Sequence, residues 1–147
     1  MRVSVLNGPN LNLLGMREPN IYGTESLADI EARVRAKAAH EEIDVEWCQT
    51  NHEGEFVEFV QGLSGRADGA VVNAAAFTHT SWAVRDAFLS VPTPFVEVHL
   101  SNIFAREPER RRSLLADLAV GLIAGFGPTS YLLAFDALAA HLRGGGD

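Results

Sequence analysis

An α/β fold built on one doubly wound parallel sheet is predicted by three features of the sequence. Short apolar stretches of strand length alternate with stretches of helical periodicity from end to end. Turn formers separate them. The loops after the first, third and fourth apolar stretches are rich in polar residues. The 147 residues are expected to form one domain, 1–147, with about 143–147 as a disordered tail. A domain of this length buries roughly 68–70% of its unfolded surface and holds its own core without staples.

The first element, "RVSVLN", reads as a short buried strand. "SLADIEARVRAKAAHEE" places Leu27, Ile30, Val34 and Ala38 at helical spacing, with Ser26 as N-cap. "DVEWCQ" is a second strand, "GEFVEFVQGLSG" a second helix stopped by Gly65, and "GAVVNAA" a third strand. A helix across "TSWAVRDAFLS" leads through two prolines to a fourth strand, "PFVEVHL". "EPERRRSLLADL" is expected to contain a helix, "AVGLIAGF" a fifth strand and "SYLLAFDALAAHL" the closing helix. This order gives a five-stranded parallel sheet of the flavodoxin type, with helices on both faces.

Composition excludes several classes of function. A net charge of −7 argues against sequence-independent nucleic-acid binding, which depends on Lys and Arg neutralising phosphates. The stretch "LLADLAVGLIAGFG" is shorter than the ~20 residues a membrane span needs and carries Asp117. The single cysteine, Cys48, rules out an internal disulfide framework, and a cytoplasmic protein with a small-molecule partner is expected. No Cys or His spacing suits zinc, and there is neither a GxGxxG after the first strand nor a Walker A motif. Ser101 lacks the context of a nucleophile elbow.

In doubly wound sheets ligands bind beyond the carboxyl ends of the strands. The loops "NGPNLNLLGMREPNIYG", "NAAAFTHTS" and "HLSNIFARE" should therefore converge on one site. The first is far longer than the two to six residues usual for such a connection. Within it Gly8 and Pro9 should turn the chain, Asn10 face the pocket, Leu11, Leu13 and Leu14 anchor the loop, and Asn7 and Asn12 serve as structural hydrogen-bonders. Alternation along "PFVEVHL" puts Glu97 and His99 on one face, where a carboxylate can fix the tautomer of the ring as a general acid; a structurally satisfied pair is the plain alternative. Arg17 and Tyr22 share the long loop, and a nearby cation is what lets a tyrosine act as a base near neutrality. Taken alone, a packing tyrosine and an exposed arginine explain them as well. His79 lies beside the expected helix start at Thr80 or Ser81, where exposed amides favour anions. Of the run Arg106, Arg110, Arg111 and Arg112, at least two should belong to a solvated face, the others being able to capture a carboxylate.

Together, "NGPNLNLLGMREPNIYG", "NHEGE", "NAAAFTHTSWAVRDA" and "VEVHLSNIFARE" resemble type II 3-dehydroquinate dehydratase, from Arg2 to about Leu142. The resemblance implies a cofactor-independent lyase of the shikimate or quinate pathway that converts 3-dehydroquinate to 3-dehydroshikimate by anti elimination through an enolate. It implies Tyr22 as the base, Arg17 as the group keeping it ionised, His99 as the acid with Glu97 as its partner, and Asn10 holding a water at the enolate oxygen. Substrate contacts fall on Asn73, His79, Leu100, Ser101 and Arg110, and on Asp86, which reaches the site of a neighbouring subunit. A dodecamer built from trimers is implied as well. The other dehydratase class forms a Schiff base through lysine, whereas the only lysine here, Lys37, is expected on the outer face of the first helix. The alternative is a catalytically silent module of the same fold binding a carboxylated metabolite. Three departures stand out: Ala74, Ala75 and Phe77 replace the proline, glycine and tyrosine of the family's "NPGAYTHTS"; Phe104 stands where histidine is common; and "GPTSY" replaces "GxQGY".

Overall fold

The computed structural model describes residues 1–16, 20 and 24–145. Five parallel strands, β1 (Arg2–Asn7), β2 (Asp44–Gln49), β3 (Gly69–Asn73), β4 (Phe95–His99) and β5 (Gly121–Ala124), lie in the order β2-β1-β3-β4-β5. This is the flavodoxin-like order. The helices are α1 (Leu27–His40), α2 (Glu53–Gln61), α3 (Phe77–Thr80), α4 (Trp82–Leu89) and α5 (Thr129–Arg143).

Alternation along the strands divides the core into two layers. Val3, Val5, Val71, Val96 and Val98 face α1 and α5, against Ile30, Val34, Tyr131, Phe135 and Leu138. Leu6, Ala70, Val72 and Phe95 face α2 and α4, against Phe56, Val60, Val84 and Phe88. With both faces covered, the strands can be apolar throughout, and every residue of β3 and β4 is buried. Two of the helix starts carry side-chain caps. Ser26 and Asp29 form a capping box at α1, and the Ser81 hydroxyl accepts the Val84 N–H at α4.

Boundaries shift where hydrogen bonds find other partners. The second helix ends at Gln61, four residues before Gly65, and the segment expected to enter one helix at Thr80 or Ser81 is divided into α3 and α4. Arg143, expected in the tail, is the last residue of α5 and pairs with Glu41 at 3.0 Å. The largest difference is at 107–118. In place of a helix there is one 3-10 turn, Pro108–Arg110, followed by irregular chain. The Leu115 and Ala116 amides bond to the Ser113 hydroxyl, the Leu114 amide to the Thr78 carbonyl, and the Arg112 carbonyl to the His79 ring. A local serine turn and partners elsewhere in the chain thereby take the groups that a helix would pair internally.

The loops after β1 and β3 touch backbone to backbone. The Gly8 amide donates to the Asn73 carbonyl at 2.8 Å, and a Cβ at Gly8 would fall 2.3 Å from the Ala74 carbonyl oxygen. Only glycine permits that approach. Leu11 and Leu14 anchor the first loop in the core, but Leu13, expected to do the same, is 37% exposed.

Candidate active site

The exits of β1, β3 and β4 enclose a cleft of about 140 Å³. Its lining includes Asn10, Asn73, His79, His99, Leu100, Ser101, Arg106 and Arg110. Each belongs to a strand end or to the segment that follows it, because a parallel sheet delivers all its carboxyl ends to one edge.

Asn10 is set by a left-handed backbone, φ 68°, and its amide donates to Asn51 Oδ1 at 2.9 Å. Gln49 Nε2 donates to the Gly8 carbonyl and to the same Asn51 oxygen, at 3.2 and 3.1 Å. Residues at and just beyond the end of β2 thus position the loop beyond β1. Asn73 closes β3, gives its Nδ2 proton to the Tyr131 hydroxyl at 2.9 Å and accepts the Ala75 amide at 3.1 Å. Tyr131 donates onward to Asn7 Oδ1 at 2.7 Å, and Asn7 Nδ2 donates to the Cys48 carbonyl at 2.9 Å. Burial raises the pKa of the Tyr131 phenol, so it serves here as a neutral hydroxyl.

His99 and Glu97 face the same side of β4, with His99 Nε2 2.5 Å from Glu97 Oε2. Glu97 is completely buried and forms no part of the cleft wall. The Ser113 hydroxyl lies 2.8 and 2.9 Å from its two oxygens. His79 stacks across from His99, with ring centroids 6.4 Å apart. Its Nδ1 donates to the Arg112 carbonyl at 2.6 Å. Burial, the largest influence, lowers the His79 pKa; the bond to Arg112 opposes this, and the charges of His99 and Arg110 add to the lowering.

Among the four clustered arginines, Arg106 and Arg110 line the cleft, and Arg110 also pairs with Glu107 at 2.5 Å. Arg111 and Arg112 are exposed, yet they bond the carbonyls of Arg106 and His79. Asp86 is exposed on α4 and does not line the cleft of its own chain. Lys37 pairs with Asp136 of α5 at 2.9 Å, away from the cleft. Arg17 and Tyr22 lie outside the described residues. Ser113 and Tyr131 went unnoticed in the sequence, because a serine in a charged run and a tyrosine in an amphipathic helix carry no local mark of partners 16 and 58 residues away.

Two residues of the first departure acquire a structural setting. Phe77 turns from the cleft into the core, edge-on to Phe56 with centroids 5.9 Å apart. Ala75 lines the cleft at φ 51°, in the left-handed region that favours glycine. Among the described residues, no group of three or more His, Cys, Asp or Glu could hold a metal ion, and no helix is long and apolar enough to cross a membrane.

Residues 1–139 match the family model described as dehydroquinase class II. The 3-dehydroquinate dehydratase of Synechococcus sp. (strain WH7803) is 56% identical over 144 residues, covering 98% of each chain. That of Dinoroseobacter shibae is 51% identical over 142 residues, covering 97% of this chain and 95% of the other. Of solved structures, the type II dehydroquinase of Butyrivibrio crossotus superposes with a TM-score of 0.92 at 40% identity, covering 95% of this chain and 97% of the other. The enzyme from Propionibacterium acnes gives 0.90 at 40% identity, covering 95% and 96%.

Proposed function

The chain belongs to the class II dehydroquinase family, and from that premise we propose that its cleft dehydrates 3-dehydroquinate to 3-dehydroshikimate by the following division of labour. Tyr22, kept ionised by Arg17, takes the proton from the carbon beside the ketone. Asn10 holds a water at the oxygen of the resulting enolate. His99 then delivers a proton to the departing hydroxyl, with Glu97 as its charged partner. No cofactor is required, because the ketone itself makes the neighbouring proton acidic and the enolate needs only fixed dipoles for stabilisation.

The observation that carries this reading is the His99–Glu97 contact of 2.5 Å, buried at the wall of the cleft. A carboxylate behind an imidazole prepares the ring for proton transfer, which a mere binding pocket does not need. Asn73, His79, Leu100, Ser101 and Arg110 surround the same space and suit a polyhydroxylated carboxylate, with guanidinium charge for its acid group. Asp86 points to a shared site: exposed on α4 and absent from its own cleft, it is placed by this reading in the cleft of a neighbouring subunit, as in a dodecamer built from trimers.

Mixing pure protein with 3-dehydroquinate should raise the ultraviolet absorbance of the conjugated enone product. No increase over the rate without protein would sink the dehydratase reading and leave the silent binding module. Tyr22→Phe should lose kcat by about 10²–10⁴ while KM changes little, since a base acts mainly in the transition state. Near-normal turnover in that variant would remove Tyr22 from its role.

A further inference from the structure

The polarity of the Ser113–Glu97 contact follows from counting the protons at Ser113. The Ser113 hydroxyl accepts the backbone N–H groups of Leu115 and Ala116, at 3.1 and 3.0 Å. Backbone amides only donate, and a hydroxyl has two acceptor sites and one proton. With both acceptor sites filled, the Ser113 hydroxyl can engage Glu97 only as a donor. It lies almost equally far from the two carboxylate oxygens, at 2.8 and 2.9 Å. A proton shared across both oxygens favours the ionised carboxylate, which accepts at both, over the acid, one oxygen of which would carry a proton of its own. Glu97 therefore accepts from Ser113 on one side. On the other, Oε2 has the matching role toward His99 and receives the Nε2 proton across 2.5 Å.

We propose that Ser113 is a positioning residue: by committing its only proton to Glu97, it holds Glu97 as an acceptor and His99 with its Nε2 proton on Glu97, so that Nδ1 faces the cleft, takes up the second ring proton, and gives that proton to the departing hydroxyl as the ring returns to the neutral Nε2–H form. Two backbone amides set the order, Ser113 transmits it, and Glu97 hands it to His99. The segment that fails to become a helix is what supplies those amides. An α-helical Ser113 would leave the Leu115 and Ala116 amides bound to carbonyls of the preceding turn, and its own hydroxyl proton free to turn elsewhere. The bearing of this order on turnover rests on His99 being the acid of the proposed reaction.

The experiment reads the tautomer and the rate separately, on the full chain. In protein labelled with 15N-histidine, the His99 nitrogen shifts at a pH where the ring is neutral should show Nε2 protonated and Nδ1 bare. Ser113→Cys keeps nearly the same side-chain size but is a weak donor. It should give a mixture of tautomers and a kcat lower by about five- to tenfold, the scale of one hydrogen bond, with KM nearly unchanged. Ser113→Thr retains the hydroxyl and should restore both readouts. A His99 ring that keeps a single Nε2–H tautomer in Ser113→Cys overturns the proposal, whatever happens to the rate. A mixed tautomer with normal turnover upholds the role of Ser113 and overturns His99 as the acid, so the two failures can be told apart.

Discussion

His99 and His79 face each other across one cleft, rings 19° from parallel, yet each turns a different nitrogen to a different kind of acceptor. The ring on the β4 exit holds Nε2 against a buried carboxylate, and the ring on the β3 exit holds Nδ1 against a backbone carbonyl. A carboxylate is a full charge, the natural partner of an imidazolium; a carbonyl is only a dipole, and burial pushes the His79 ring toward its neutral form. The two loops also differ in backbone. Beyond β3, Ala75 is forced to φ 51°, whereas no non-glycine residue from His99 to Arg112 has a positive φ. Under the proposed reaction, one exit moves a proton and the other holds a neutral donor or acceptor close to the substrate.

Exchanging the rings for asparagine would break this comparison if it is wrong. His99→Asn should lower kcat by about 10²–10⁴ with a small change in KM, the loss expected of a general acid. His79→Asn should act mainly on KM, raising it about tenfold, as for the loss of one hydrogen bond to a charged ligand. Steady-state kinetics on both variants distinguishes the roles. Equal losses of kcat would mean that the acceptor behind each ring does not set its task.

The strain on the β3 exit gives a smaller test, in stability. A Cβ in the left-handed region costs roughly 1–2 kcal/mol, part of which is offset because glycine is freer in the unfolded chain. Ala75→Gly should therefore stabilise the protein by about 0.5–1 kcal/mol, or about 2–3 °C in Tm by thermal unfolding. A lower Tm would show that the neighbours of Ala75 stabilise its conformation more than the Cβ strains it.

How far these exits could be read from sequence depends on the range of the interactions that make them. The central strands were legible because burial on both faces demands nearly continuous apolar runs, and β1 falls on "RVSVLN"; β2, half-buried at the sheet edge, also falls on its expected stretch, "DVEWCQ". Glu97 beside His99 followed from period-two alternation alone. The segment 107–118 was misread because its composition favours a helix locally, while Thr78, His79 and Glu97 compete for its polar groups from distant positions in the chain. Leu13 was misread for a related reason: in a short 3-10 turn, three nearby leucines cannot all point inward, and Leu11 and Leu14 take the core.

The weakest effect at any single pH concerns His79 alone. Burial lowers its pKa from an ordinary value of 6.5. As pH falls below about 6.5, the unfolded chain takes up a proton that the folded chain still refuses. Over that window the unfolded state binds more protons, so stability falls with falling pH, by at most about 1.4 kcal/mol per pH unit for one group, and levels off once the folded ring also titrates. His79→Gln, which cannot titrate, removes this contribution. Urea unfolding at pH 7.5, 6.5 and 5.5 should therefore show the advantage of the parent protein over the variant shrinking toward the acid end. A difference that stays constant with pH would mean that the bond to the Arg112 carbonyl offsets the cost of burial.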